Sequence, residues 1–312
     1  MKINKTEILP GENKIISIPV ANLPSGTPID LKAFVYRSKN EGPTMLVLGG
    51  VHGDEINGVE IVRKAIQDKY FDKLKAGSVI AIPLLNVFGF LHFSREFPGG
   101  KDINRSFPGS QRGSLASRVA YALTKQIIPH VDFGLDFHTG GNQVYNYPQA
   151  RYYKGDENSE KLAMDFGMPY TISSGLIKKS IRKTAFDHKI PMVVFEGGES
   201  SRLDSYSIEV GLEGLQRVMQ IRGFKDFKVN TNFATQVLES GTWLRSPKSG
   251  VVVLHKFSGD TIEKGEIIGV ITDPYCNFLH KVKSTVSGVI YGHNNNPVIN
   301  QGDALIHVGF LE

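Results

Sequence analysis

Cysteine is nearly missing from this chain: Cys276 is the one copy in 312 residues. An intramolecular disulfide and a cysteine-rich metal site are thereby excluded, so a bound metal must be held by histidine and carboxylate, and a reducing compartment is the natural setting. Long apolar runs are missing too. No stretch approaches the roughly 18 residues that span a bilayer. Met1 to Val20 is broken by Lys, Glu, Asn and Pro where a secretory leader needs an apolar segment. The expectation is a cytoplasmic protein with no membrane partner. Basic blocks are also lacking, although the net charge is +5 and the pI is near 9.0. Scattered Lys and Arg without an aromatic-rich binding motif argue against a nucleic-acid partner and suit the steering of a small anionic substrate. There is no Gly-x-Ser-x-Gly elbow, and Cys276 has no accompanying His motif, so serine and cysteine nucleophiles have little support.

What the chain does have is three apolar runs that end at reactive side chains. Thr44 to Leu48 feeds into Gly49-Gly50-Val51-His52-Gly53-Asp54-Glu55, with a histidine and a carboxylate three residues apart. Asp132 to Phe137 ends in His138-Thr139-Gly140-Gly141, and Met192 to Phe195 ends in Glu196-Gly197-Gly198-Glu199. In an open α/β sheet the ligand crevice lies beyond the carboxyl ends of the parallel strands, where residues far apart in sequence can meet. Two histidines and one glutamate on Zn²⁺, with a position left for water, make a hydrolytic site. Between these segments lies Asn86 to Gly109, rich in glycine and proline. Its Asn104-Arg105 pair offers a planar fork for a substrate carboxylate, and Arg95 offers a cation beside a developing oxyanion. Lys101 and Arg112 compete with Arg95 for that role, and Glu199 competes with Glu196 for the strand-end position. Tyr145, Tyr147 and Arg151, just beyond His138, are further candidates for substrate contact.

The length favours one large unit and a smaller one. Short strands with turns at Pro10-Gly11 and Pro24-Ser25-Gly26 open the chain. From Thr44 to about Phe224, strand-like runs alternate with helical periodicity, carried by Val59, Val62, Ile66 and Tyr70, by Leu115, Val119, Leu123 and Ile127, and by Ile208, Leu212, Leu215 and Met219. This pattern predicts an α/β fold, a mostly parallel sheet with helices on both faces. Ser78 to Leu85 reads as a further buried strand. After about Asn230 the texture turns to short glycine-punctuated strands with an internal repeat. Ser246-Pro247-Lys248-Ser249-Gly250-Val251-Val252 matches Ser284-Thr285-Val286-Ser287-Gly288-Val289-Ile290, and Gly265-Glu266-Ile267-Ile268 matches Gly302-Asp303-Ala304-Leu305. Two such halves predict a small all-β sandwich or barrel. The expected domains are thus a catalytic one over 1–230 and a β domain over 231–312. The latter resembles the biotinyl/lipoyl-carrier type, but Asp273-Pro274-Tyr275-Cys276-Asn277 stands where a carrier has its modifiable lysine, so an unmodified domain shaping the active-site mouth is expected.

Four motifs occur in one order: His52-Gly53-Asp54-Glu55, Asp102-Ile103-Asn104-Arg105-Ser106-Phe107-Pro108-Gly109, Asp136-Phe137-His138-Thr139-Gly140 and Phe195-Glu196-Gly197-Gly198. In this the chain resembles the succinylglutamate desuccinylase/aspartoacylase family of the zinc carboxypeptidase-like superfamily. The resemblance implies that His52, Glu55 and His138 bind one Zn²⁺ per chain and that Glu196 is the general base and acid. It implies that Asn104 and Arg105 hold a substrate carboxylate while Arg95 polarises the carbonyl. The implied reaction is hydrolysis of the amide in a small anionic N-acyl amino acid. A carboxypeptidase acting on short peptides uses the same parts, and a non-catalytic binding protein is the alternative from another class. The sequence leaves the acyl group, the amino acid and the oligomeric state open, a homo-oligomer included.

Overall fold

Continuous apolar runs become the strands buried on both faces, and they lie at the centre of one large sheet. The computed structural model describes residues 1–22 and 25–311, so the expected turn at Pro24-Ser25-Gly26 begins outside the described residues. A ribbon of β1 (Lys2–Ile3) and β2 (Thr6–Glu7) precedes an antiparallel pair, β3 (Asn13–Asn22) and β4 (Pro28–Arg37). The alternating region runs β5 (Thr44–Gly49), α1 (Ile56–Gln67), β6 (Ser78–Ile82), α2 (Val87–Leu91), α3 (Leu115–Gln126), β7 (Phe133–Gly140), β8 (Val144–Tyr152), α4 (Glu157–Phe166), β9 (Tyr170–Ser173), α5 (Ile181–Asp187), β10 (Met192–Glu199) and α6 (Ser205–Ile221). Strands follow: β11 (Gln236–Arg245), β12 (Gly250–Leu254), β13 (Thr261–Ile262), β14 (Ile267–Thr272), β15 (Leu279–Lys283), β16 (Gly288–Asn294), β17 (Val298–Ile299) and β18 (Ala304–Leu311). No helix among the described residues is long and apolar enough to cross a membrane.

The three helices with expected periodicity appear as α1, α3 and α6, although α1 stops at Gln67 and Tyr70 lies beyond it. The expected strand from Ser78 to Leu85 ends at Ile82. Alternate residues of β5 point into two different cores. Leu46 and Leu48 pack with α3 residues such as Val119 and Leu123 and with Ile181 and Ala185 of α5. Met45 and Val47 pack with Ile61, Val62, Leu162, Phe166 and Leu215 from α1, α4 and α6. Helices therefore cover both faces, as in a doubly wound sheet.

The sheet itself is mixed where a mostly parallel one was expected. Strands β6, β5, β7 and β10 are parallel neighbours, whereas β3 and β4 on one flank are antiparallel and β8 runs antiparallel to β10. The reason lies in the link from β7 to β8. Gly141, Asn142 and Gln143 make a tight reversal, with φ of 52° and 64° at Asn142 and Gln143, too short for the crossover that a parallel pair needs.

The twelve-stranded sheet crosses residue 230 without a break. β11 runs parallel to β9, continues to β18 and β16, and β16 pairs back onto β8. With the β8–β9 pairing, five strands close into a ring, β8-β9-β11-β18-β16. Tyr170, Ile172, Leu238, Val289 and Tyr291 form one buried cluster on these strands. The strands β15, β14, β12 and β17 form a second sheet, and residues of the two sheets, among them Val252, Ile271, Ile290 and Val308, share one core. The sequence repeat is realised as matching turns: Ser246 Oγ donates to Lys248 O at 2.6 Å and Ser284 Oγ donates to Val286 O at 2.5 Å.

At the sheet centre, helix α1 lies directly against β7. A Cβ on Gly58 would sit 2.2 Å from Phe137 O, a backbone contact that cannot yield without moving the helix. Gly58→Ala is expected to cost about 1–3 kcal/mol through overpacking, read as a lower urea midpoint. An unchanged midpoint would show that α1 can shift freely.

Candidate active site

Strand order brings three sequence segments to one place. β5, β7 and β10 are adjacent and parallel, with Gly49 opposite Phe137 and His138 opposite Glu196. After β5 the chain turns through Gly53, whose Cβ would lie 1.9 Å from Gly89 C, so only glycine fits between this turn and helix α2. Glu55 follows as the residue before helix α1. His52, Glu55 and His138 are all buried, at 2%, 2% and 4% exposure, and their ligand atoms lie within 4.8 Å of one another.

The convergence is of a particular kind. His52 Nδ1 is 2.6 Å from Glu55 Oε1, His138 Nδ1 is 2.7 Å from Glu55 Oε2, and the two Nδ1 atoms are 3.2 Å apart. His138 Nε2 lies 2.8 Å from Asp136 Oδ2, and since a carboxylate only accepts, that nitrogen keeps its proton, while Nδ1, which also faces a carboxylate at Glu55, presents a lone pair once a cation displaces the proton there. On the far side of His52, Nε2 lies 3.4 Å from Asp102 Oδ1, an ion-pair distance without hydrogen-bond geometry. Burial favours the neutral imidazole at His138, yet Asp136 and Glu55 outweigh it and push the proton affinity well up. At His52 burial acts the same way and is outweighed by Glu55 and Asp102. Glu55 is held well below the usual carboxylate range by the two imidazoles, against its own burial.

These features fit a divalent cation. Two nitrogen lone pairs and a carboxylate face one point, and each imidazole has a carboxylate behind its other nitrogen. With neutral imidazoles, the three carboxylates Glu55, Asp102 and Asp136 against the one guanidinium of Arg95 leave two negative charges. The Arg95 guanidinium already behaves as a cation drawn to that point, its NH1 lying 3.1 Å from both Glu55 Oε1 and His52 Nδ1.

Asp102 organises the adjoining loop. Its Oδ1 accepts from Asn104 N at 2.7 Å, capping the short 3-10 turn Ile103–Arg105, and its Oδ2 accepts from Arg95 Nε and NH2 at 3.3 and 3.0 Å. Burial raises its proton affinity, but His52 and Arg95 prevail and lower it strongly. Asn104 Oδ1 accepts from Ile181 N at 2.9 Å, so a contact with a ligand falls to its Nδ2 amide. Arg105 is nearly half exposed at the rim. Arg95, Asn104 and Arg105 all line one cavity with the buried trio, whereas Lys101 and Arg112 are exposed and do not.

That cavity measures about 420 Å³ and includes Glu196. Asn146 Nδ2 donates to Glu196 Oε2 at 3.0 Å, and Arg151 NH1 lies 3.4 Å from Glu196 Oε1. Its rival Glu199 is outside the cavity lining and accepts from Asn295 Nδ2 at 2.6 Å. Of the three residues beyond His138, Arg151 lines the cavity, while Tyr145 stacks on His293 and Tyr147 pairs with Tyr206. The sequence reading missed Asn146, Arg182, Trp243 and His307, which line the cavity from β8, α5, β11 and β18. Arg182 donates to Ser174 Oγ at 2.8 Å and Gly175 O at 2.7 Å. Burial and then the nearby Arg151 lower its pKa to about 10. His307 stacks on Trp243 with centroids 4.2 Å apart, and its Nε2 is 2.6 Å from the Tyr291 hydroxyl.

Comparison with known proteins agrees with this geometry. The sequence profile described as succinylglutamate desuccinylase/aspartoacylase catalytic domain matches residues 41–222, more than half of the chain. The chain is 25% identical over 308 residues to the N-alpha-acetyl-L-2,4-diaminobutyric acid deacetylase of Halomonas elongata, covering 94% of this chain and 90% of that protein. Among solved structures, a succinylglutamate desuccinylase/aspartoacylase from Rhodobacter sphaeroides superposes with a TM-score of 0.83 at 21% identity, covering 96% of both chains. The product-bound ectoine utilization protein EutE (DoeB) of Ruegeria pomeroyi gives 0.82 at 20% identity, covering 96% of this chain and 94% of that one. At these identities the two structures speak for the fold.

His307 generates a pH prediction. Burial, and then the Arg151 guanidinium, lower it to about 4, against about 6.5 in an unfolded chain. A histidine that protonates less readily folded than unfolded contributes stability that is complete above about 6.5 and lost as pH falls toward 4, on the order of 2–3 kcal/mol. Urea titrations of metal-free protein from pH 7 to 4 should show this loss in the wild type and a correspondingly shallower fall in His307→Gln. Equal slopes would contradict it.

Proposed function

The chain belongs to the succinylglutamate desuccinylase/aspartoacylase family, and on that premise we propose that it is a zinc-dependent deacylase hydrolysing the amide bond of a small N-acyl amino acid. The observation that carries the reading is the buried convergence of His52, Glu55 and His138 with Glu196 in register beside His138. A site built of two histidines and one glutamate suits zinc. The deacetylase name of the Halomonas elongata relative supports an acyl amino acid as substrate.

When bound, zinc supplies Lewis acidity and brings the pKa of a water to about 7. The chain's own groups do the rest. Glu196, restrained by Asn146 and Arg151, takes the proton of the attacking water on a carboxylate oxygen and returns it to the leaving nitrogen, so that the amine departs neutral. Arg95, anchored on Asp102 and bordering the ligands, places positive charge where the carbonyl oxygen becomes an oxyanion. The Asn104 amide and the Arg105 guanidinium hold the amino acid's carboxylate and fix which bond faces Glu196. The polar cavity of about 420 Å³ favours a small acyl amino acid over an extended peptide.

Elemental analysis combined with turnover tests the reading. Wild type should carry about one zinc per chain and hydrolyse a member of an N-acetyl, N-succinyl and dipeptide panel. Glu196→Gln should keep its metal and lose roughly 10²- to 10⁴-fold in kcat, the range of a general base. Near-normal turnover in that variant would remove Glu196 from the role, and well-folded wild type that takes up no metal would overturn the hydrolase.

Arg105 is assigned to ground-state binding, since the carboxylate it holds is present before and throughout the reaction. Arg105→Lys keeps the charge but loses the two-pronged contact. KM should rise roughly tenfold with a smaller effect on kcat. An unchanged profile would move carboxylate recognition to Arg182.

A further inference from the structure

Glu199 stands outside the cavity and is nevertheless buried, at 5% exposure. Strand β10 is irregular between it and Glu196. The pairing with β7 shifts register between Glu196 and Glu199, the pairing with β8 shifts between Glu196 and Gly198, and Gly198 takes a φ of 79°. An irregularity of this kind bends a strand and re-aims the side chains beside it. The direction of the Glu196 carboxylate therefore depends on how both ends of the irregular stretch are held. At the near end Asn146 Nδ2 donates to Glu196 Oε2. At the far end Asn295 Nδ2 donates to Glu199 Oε2 at 2.6 Å. The one ion-pair partner of Glu199 among the described residues is the exposed Arg202, whose Nε is 3.8 Å from Oε1, so Asn295 is the close contact.

Asn295 is itself fixed from the other side. It follows β16 directly, its N–H donates to Gln143 O at 2.8 Å in the β7–β8 reversal, and its Oδ1 lies 3.1 Å from His293 Nε2. The direction of that last bond follows from the opposite ring nitrogen. Ser258 N donates to His293 Nδ1 at 3.1 Å, so Nδ1 accepts, Nε2 carries the proton, and Asn295 Oδ1 accepts from it. The amide is thereby oriented with Nδ2 toward Glu199. His293 is buried, stacked on Tyr145 with centroids 5.3 Å apart and met edge-on by Phe257. Burial lowers its proton affinity against the pull of Asn295, Glu199 and Asp260, which favours the neutral ring that this pattern requires. Ser258, His293, Asn295 and Glu199 thus form one hydrogen-bonded chain, from the turn before β13 to the end of β10.

We propose that Asn295 is a positioning residue for Glu196: by gripping Glu199 beyond the irregular stretch of β10, it lets the C-terminal strands aim the general base. The inference rests on the deacylase reading for the role of Glu196, and its test includes a readout that needs no turnover. Asn295 is exposed, so substituting it leaves the core packing intact. Asn295→Asp sets two carboxylates face to face, whereas adding Glu199→Gln restores a donor and acceptor with reversed polarity. The single variant should lose roughly tenfold or more in kcat with KM within about twofold, because Asn104 and Arg105 are untouched. The double variant should recover most of that loss. In protein labelled with ¹⁵N-asparagine, the Asn146 side-chain amide that donates to Glu196 reports where that carboxylate lies. Its resonance should move in Asn295→Asp toward the position it takes in Glu196→Ala, and return in the double variant. An unmoved Asn146 resonance overturns the proposal and leaves the deacylase reading standing, as does an unchanged kcat in an active enzyme or a loss that the double variant fails to restore. A resonance that moves and returns in this way, in a protein that hydrolyses no acyl amino acid, would uphold the positioning and sink the deacylase reading instead.

Discussion

Two imidazole nitrogens 3.2 Å apart, both facing one buried carboxylate, cannot rest there without positive charge between them. Much of the molecule serves that constraint. The parallel alignment of β5 and β7 sets the two histidines side by side, and α1 starts immediately after Glu55, so its carboxylate is delivered by the helix that packs on β7. Asp136 and Asp102 then fix the imidazoles from behind. Each of these carboxylates would be an unfavourable buried charge alone. Together with Arg95 they leave two negative charges, which a divalent ion neutralises. The same carboxylates raise the proton affinity of both imidazoles, so a cation entering the site displaces protons, and metal affinity, proton release and local stability are expressions of one free energy.

The C-terminal strands meet a different requirement. A sheet that ended at β9 would expose an edge beside the candidate-site cavity, with its unpaired backbone groups. Here β11 extends that edge, and the return of β16 onto β8 closes it. Closure has a chemical consequence: Trp243 and His307 reach the cavity that holds His52, Glu55, His138 and Glu196 only because their strands are held in this ring. Asn146 shows the same coupling from the other side, since it bonds Glu196 while its strand is paired on β10 and β16 at that very residue. The geometry around Glu196 and the C-terminal architecture are thus parts of one hydrogen-bonded fabric.

What could be read from the sequence follows from how local each signal is. Thr44 to Leu48 and Met192 to Phe195 are short apolar runs bounded by turns, and such runs declare buried strands without help from the rest of the chain. His52, Glu55, His138 and Glu196 were legible because each sits at the end of such a run. β8 was not, since its sequence, with Asn146, Gln149 and Arg151, carries polar groups at positions that face the cavity or bond within the sheet. The mixed character of the sheet was hidden with β8, whose reversal places it antiparallel to β10, and the ring closure was hidden because it pairs Gly292 with Asn146, segments more than a hundred residues apart. Helix α5, at seven residues, is too short to show a period, and Arg182 at its start therefore had no local marker. The Arg95 and Asn104-Arg105 segment was legible as chemistry, but not the role of Asp102 in tying it to His52.

The remaining imbalance in the cavity is positive, and it bears on what the cavity is for. Arg95 is neutralised by Asp102 and Glu55, and Arg151 is only partly neutralised by Glu196. Arg182 has hydroxyl and carbonyl partners that satisfy its donors without cancelling its charge. Burial already weakens its hold on its proton, the signature of a cation kept where folding alone would not place one. A fold seeking only stability would replace such a group with an apolar residue of similar size. Keeping it is consistent with a state in which an anion occupies the cavity, and that anion must approach through a field that the rim residue Arg105 makes more positive still. Substrate attraction and the electrostatic cost of the vacant cavity therefore have the same source, so a substitution that neutralises Arg182 should trade ligand affinity for stability.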